Sequence, residues 1–242
     1  MSKKKAQQIR PVGRFRSRRL SNGLDVRIHP GPPLGPGMTT PSMDDVLAAL
    51  EGFDPDISWK AARHQILPML PRLRPFPGGD DQTVRVILPP GILVSFGIDL
   101  GPAVTFLGSS VVDRWRVDRD SIVEAALHNL RARARDCKPD LVIRDHIADA
   151  PVTVLQSRQG IAASLLLVPE HIDRLFGPGP HLLLAPMRDL LIALPADVDR
   201  DFAAWLSEEW EALDPNHLHL GGFVHEAGSV MPEPLEGVLA QA

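Results

Sequence analysis

Arg188 and Asp189 stand side by side in the tetrad Pro186-Met187-Arg188-Asp189, between the apolar runs 182–185 and 190–194. A guanidinium grips a carboxylate or phosphate through paired N–H donors, and an adjacent carboxylate can orient it or take a proton. The same pair suits a plain turn, with the aspartate accepting local N–H groups and the arginine resting against a nearby carboxylate. Turn chemistry favours that structural role. Asn129 follows His128 in a helical stretch with apolar neighbours. A buried amide must find partners, and strand backbone would serve, locking helix to sheet in preference to a ligand contact. Ser164 lies in an apolar run without a Gly-x-Ser-x-Gly elbow or a base placed for it, so it is expected to bond a carbonyl one turn back. His217, His219 and His225 share strand parity and could offer imidazoles to zinc. A bulge at Gly221-Gly222 would break that parity, which favours a solvated edge. Cys137 ends a helix beside Asp136, where the helix C-terminus disfavours a thiolate.

Short apolar runs ended by proline predict strands buried on both faces, and the tetrad, proline first, predicts the hairpin turn between them. Helices are expected at 43–73, where Ser42 or Asp44 caps Val46, Leu47 and Leu50. A second helical run there, Trp59, Ala62, Ile66 and Leu70, should be ended or kinked by Pro68 and Pro71. A β-meander is expected at 84–88, 92–98 and 103–107. Ser121 and Glu124 have capping-box spacing and open a helix to about Cys137, with Val123, Leu127, Leu130 and Ala134 inward. Strands follow at 141–147 and 152–156. A helical stretch at 161–176, interrupted by Pro169, ends at Gly177. Beyond the hairpin, Asp197 or Asp199 caps a helix with Phe202, Trp205, Leu206, Trp210 and Leu213 inward, and 217–226 reads as the last strand. Hairpins outnumber crossovers. The expectation is an α+β fold with a mainly antiparallel sheet packed by helices, as one domain over 43–228, followed by a flexible tail at 229–242.

Charge divides the chain. Residues 1–27 carry nine Lys/Arg and one acid, whereas the remainder carries 17 basic and 29 acidic residues, a net of −12. Lys3, Lys4, Lys5, Arg14, Arg16, Arg18 and Arg19 sit in an arm, 1–42, whose charge and Pro/Gly content predict disorder, with one edge strand conceivable at 20–29. Such an arm suits an acidic protein or polyanion. Phe15 is its only aromatic, which offers no base-stacking platform, and the acidic body disfavours sequence-specific DNA binding. No apolar run reaches membrane-spanning length, and the basic N-terminus lacks the apolar stretch of a secretory signal. The single cysteine excludes an intrachain disulfide framework and a multi-cysteine metal site, and fits the cytoplasm. No glycine-rich phosphate loop is present, and no cofactor is expected. Arginine outnumbers lysine 21 to 5, a bias typical of GC-rich bacterial genomes.

Three short motifs carry a resemblance: Ala-Leu-x-Asn-Leu at 126–130, Ala-Ser-hydrophobic-Leu at 163–166, and Pro-x-Arg-Asp-x-Leu at 186–191. In this order, and in layout over roughly 58–228, the chain resembles the YtpQ-like family of small bacterial cytosolic proteins. That resemblance implies a compact intracellular α+β protein and brings no established reaction, cofactor or catalytic residue. The basic arm departs from the family pattern. With no complete catalytic constellation visible, the expected function is a non-catalytic binding or assembly module with a basic arm. The alternative is a hydrolase-like small-molecule enzyme with a polar site at the 186–189 tip.

Overall fold

The computed structural model describes residues 16–28, 42–70, 83–88, 91–138, 142–157, 160–214, 217–218 and 220–235. The first elements are β1 (Arg16–Arg19), β2 (Asp25–Ile28), α1 (Met43–Glu51), α2 (Trp59–Ala62), β3 (Ile66–Met69), β4 (Arg85–Leu88), β5 (Ile92–Asp99) and β6 (Val104–Phe106). There follow α3 (Ser109–Trp115), α4 (Arg119–Asp136), β7 (Val142–Ile147), β8 (Ala150–Gln156), two 3₁₀ turns (Ala163–Leu167 and Pro169–His171) and α5 (Ile172–Phe176). The last elements are β9 (His181–Met187), β10 (Leu190–Pro195), α6 (Arg200–Glu211), β11 (Gly222–Glu226) and β12 (Ser229–Glu233). One sheet has the order β12-β11-β9-β10-β8-β7. In a second sheet β5 pairs β3, β4 and β6, and every pairing in both sheets is antiparallel. The fold is therefore α+β with antiparallel sheets, as the hairpin-rich sequence predicts.

The central hairpin β9–β10 is buried on both faces. Leu183, Ala185, Leu191 and Ala193 join the main core with α4 and β3. Leu182, Leu184, Leu190, Ile192 and Leu194 join a second core with Ala203, Ala204 and Leu206 of α6. Each fully buried leucine contributes about 1.5–3 kcal/mol relative to exposure. Met187 belongs to the second core despite its odd number, because the register shifts between Leu190 and Ile192. Ala185 and Pro186 together oppose Leu191, a bulge that switches the parity of the strand end. Pro186 has no N–H for the ladder, so a bulge is where it fits. The turn proper is Arg188-Asp189, and Pro186-Met187, expected in the turn, belong to β9.

Several expected elements are corrected. The run Trp59–Leu70 is not one helix: α2 is a single turn and Ile66–Met69 is a strand. Proline is tolerated in an edge strand and not inside a helix, and β3 is the edge of its sheet. α4 starts under Asp118, whose side chain accepts the Ser121 N–H, in place of a Ser121 capping box. Its fully buried stripe is Ile122, Ala126, Leu130 and Ala134. Val123 and Leu127 are half-buried at its margin. Trp205 of α6 is 45% exposed and Leu213, past its end, 56% exposed; the inward face takes Ala203, Ala204, Leu206 and Ser207. The stretch 161–176 is interrupted at Pro169 as expected, and its pieces are two 3₁₀ turns and one short α-helix.

Both chain ends carry more structure than their composition suggests. Within the arm, β1 and β2 pair antiparallel, Arg19 opposite Asp25. Leu20 N–H bonds Leu24 carbonyl, Gly23 N–H bonds Leu20 carbonyl, and Gly23 has φ +87°. That is a three-residue loop closed by a left-handed glycine. Leu20 is buried, and Asn22 donates to the carbonyls of Leu50 at 2.6 Å and Phe53 at 2.9 Å, adding a side-chain donor at the C-terminal end of α1. The expected strand at 217–226 begins only at Gly222, and the expected tail from 229 opens with β12. Ala227 and Gly228, both at positive φ, make the turn.

Candidate functional site

Asn129 and Ser164 converge on one feature, the outward edge of β3. β3 pairs β5 along its other edge, so the carbonyls of Ile66 and Pro68 face away from the sheet. Asn129 Nδ2 donates to the Ile66 carbonyl at 2.9 Å and to the Arg63 carbonyl at 2.8 Å, across the end of α2. Ser164 Oγ donates to the Pro68 carbonyl at 2.9 Å from a residue only 2% exposed. The side chains replace a missing neighbouring strand. Asn129 finds the expected strand-backbone partner, although it is half-buried and not buried. Ser164, however, bonds a carbonyl 96 residues earlier rather than one in its own turn, because a 3₁₀ segment lays its hydroxyl against β3.

The 188–189 tip is embedded in the body. The Asp189 carbonyl accepts from Ser157 N–H at 2.8 Å, the Arg188 carbonyl from Ala163 N–H at 3.1 Å, and the Pro186 carbonyl from Leu218 N–H at 2.8 Å. The Arg188 guanidinium lies 5.1 Å from the centre of the Phe106 ring on β6, a cation–π contact that ties the two sheets. Both side chains are half-buried. Burial, reinforced by the charge of Asp214, raises the Asp189 pKa above its usual 3.8, while its own backbone N–H and the Gln156 side chain oppose the shift. Chemically the tip offers a cation on an aromatic ring and a carboxyl with raised proton affinity. Phe106, Gln156 and Asp214 complete it, and no spacing in the sequence points to them.

The histidines part company. His217 bonds the Asp214 carbonyl through Nδ1 at 2.9 Å and lies outside β11. His219 lies outside the described residues. His225 is on β11 but 1% exposed, not on a solvated edge, and it faces His181 of β9 across the ladder. Among the described residues no group of three or more His, Cys, Asp or Glu could hold a metal. His181, missed in the sequence, stacks on His225 with centroids 6.1 Å apart. Its apolar strand neighbours mark it as inward only once β9 is known.

Cys137 is buried, and that burial raises its thiol pKa, with Arg174 lowering it and Asp136 raising it further. Arg174 donates to the Ala134 and Cys137 carbonyls, each at 2.6 Å, and so caps α4. Of the arm residues, Lys3, Lys4, Lys5 and Arg14 lie outside the described residues, while Arg16, Arg18 and Arg19 occupy β1. No helix among the described residues is long and apolar enough to cross a membrane.

Fold and sites define an α+β protein whose polar side chains mostly fasten sheet edges and helix ends. No protein-family model, curated protein or solved structure matches the chain.

Proposed function

We propose that this protein is a non-catalytic binding module that takes an anionic partner, an acidic protein or a polyanion, through its basic N-terminal segment. The observation that carries the reading is the docking of the β1–β2 hairpin by Asn22 and Leu20 onto the end of α1. The docking gathers Arg16, Arg18, Arg19 and Arg27 on one short ribbon, beside a remainder of net charge −12. A pre-ordered ribbon loses less conformational freedom on binding than a free arm. The hydrogen bonds of Asn129 and Ser164 to the edge of β3 support a structural use of both side chains. The single cysteine, buried in the core, fits a cytoplasmic location. Kinship with the YtpQ-like family belongs to the same proposal. Its support is that the three motifs meet in one structural unit, with Asn129 and Ser164 on β3 and Ala163 N–H on the Arg188 carbonyl.

The test is binding of the full chain to labelled poly-glutamate and to a random-sequence DNA duplex across a salt series. Affinity is expected to fall steeply with salt through screening and counterion release. The charge reversal Arg16→Glu with Arg18→Glu and Arg19→Glu is expected to weaken binding by about tenfold or more. Binding of neither probe, or binding unchanged by the reversal, overturns the reading.

A second reading, a hydrolase-like enzyme at the 186–189 tip, rests on one observation: Asp189 is half-buried with a raised pKa beside Arg188. It predicts that Asp189→Asn abolishes an activity toward small esters or phosphates while leaving the melting temperature nearly unchanged.

A further inference from the structure

We propose that His225, with Asp173 and His181, forms an acid-sensitive latch holding the β11–β12 hairpin on the six-stranded sheet. His225 is almost completely buried, and neither ring nitrogen has a hydrogen-bond partner. Buried polar atoms in folded proteins are nearly always paired, so this imidazole is held by packing and not by bonding. Its ring stacks on His181 with an interplanar angle of 12°. His181 Nε2 is already engaged with the Gly177 carbonyl at 2.9 Å, and Phe176 covers the His181 ring edge-on.

The charged groups around His225 come from every neighbouring element. α5 offers Asp173, whose Oδ1 is 3.7 Å from His225 Nδ1, beyond hydrogen-bond length but within ion-pair reach. Arg174 of α5 is spent on the end of α4. The preceding 3₁₀ turn carries Glu170, paired with Arg131, and His171. β9 gives His181, and β12 places apolar Val230 opposite.

A proton on His225 creates two N–H⁺ donors with one distant, half-solvated carboxylate to meet. Burial lowers the pKa of His225 from the ordinary 6.5, Asp173 pulls it back up, and His181 lowers it again. Because the folded pKa is depressed, the unfolded or opened ring takes its proton first. The latch is therefore intact above about pH 6.5 and weakens as pH falls toward the folded pKa. β12 is the end of the sheet and β11 meets β9 at four register pairs, from Gly222↔Leu184 to His225↔His181, while Phe223 and Val230 seat the hairpin in the main core, so opening is a rare excursion that the proton on His225 makes more frequent. The hairpin can leave as a unit, giving the imidazolium water and uncovering the edge of β9.

The experiment is amide hydrogen exchange of the full chain from pH 7.5 to 5.0, corrected for intrinsic rates. The β7–β8 hairpin at the opposite end of the same sheet is the internal reference. Opening of β11–β12 is expected to rise by up to about tenfold per pH unit below 6.5, with β7–β8 unaffected. His225→Phe keeps a buried ring and should abolish the pH dependence; His171→Gln should leave it in place. Equal responses at both hairpins, a wild-type response in His225→Phe, or its loss in His171→Gln overturns the latch. Should His225→Phe fail to fold, the wild-type imidazole is titrated by NMR. Protonation in step with opening supports the latch, and protonation while the β11–β12 amides stay protected refutes it.

Discussion

Ser164 and His225 are buried to the same degree, 2% and 1% exposed, yet the fold treats them oppositely. Ser164 reaches the Pro68 carbonyl and, with Asn129, completes the open edge of β3. His225 reaches nothing within hydrogen-bond distance. A satisfied buried group stabilises in proportion to what its loss would strand, whereas an unsatisfied one is a standing cost that its environment can amplify. The first kind belongs to a permanent joint between α4, the 3₁₀ turn and β3. The second belongs to a removable hairpin at the end of a sheet. Burial alone does not separate fastening from switching; partner count and position in the sheet do.

Cutting the joint at β3 should have the largest effect. Asn129→Ala and Ser164→Ala together remove the donors to the buried Pro68 and half-buried Ile66 carbonyls, and a buried unsatisfied group costs about 1–3 kcal/mol. The expected outcome in urea unfolding is a loss larger than that of either single variant, because both unzip one strand edge. Ser164→Ala alone comes next, at about 1–3 kcal/mol. A loss below about 0.5 kcal/mol there would mean the Pro68 carbonyl finds another donor.

His225→Phe should act in the opposite direction, and only in acid. Its advantage over wild type should grow below about pH 6.5 by up to 1.4 kcal/mol per pH unit, read as the difference in melting temperature at pH 7.5 and 5.5. A constant difference would place His225 with the fastening residues. The smallest effect is expected from Asp189→Asn. Burial raises the Asp189 pKa, so the stability it lends is greatest below the ordinary value of 3.8 and is lost as pH rises through the folded pKa. Asparagine removes that titration, and the melting temperature at pH 7 should rise or stay within about 2 °C. A larger fall would show that the turn needs the carboxylate.

Local patterning made much of the fold legible. Apolar runs too short for core helices and bounded by prolines marked β9 and β10, and their burial on both faces follows from the lack of any polar alternation. The hairpin β1–β2 falls where disorder and at most one strand are expected, because the arginines and prolines around Asn22-Gly23 outweigh that short turn signal. Pro68 breaks a helical pattern and equally marks an edge strand, so its residue type alone does not separate the two. The inward face of α6 was misjudged at Trp205 because size suggested burial, whereas the close approach of α6 to β9 selects Ala203 and Ala204.

The α+β class, the central apolar hairpin and the charge division between the N-terminal segment and the rest are readable from the chain alone, because each is written in near-neighbour pattern and composition. That Ser164 serves a strand 96 residues away, that Arg188 lies on Phe106, and that His225 meets His181 and Asp173 without a hydrogen bond follows from three-dimensional packing. Those pairings depend on strand order, and the placement of Arg188 also on the one-residue bulge at Ala185-Pro186. A side chain's partner across a sheet is fixed by register, which no local pattern encodes.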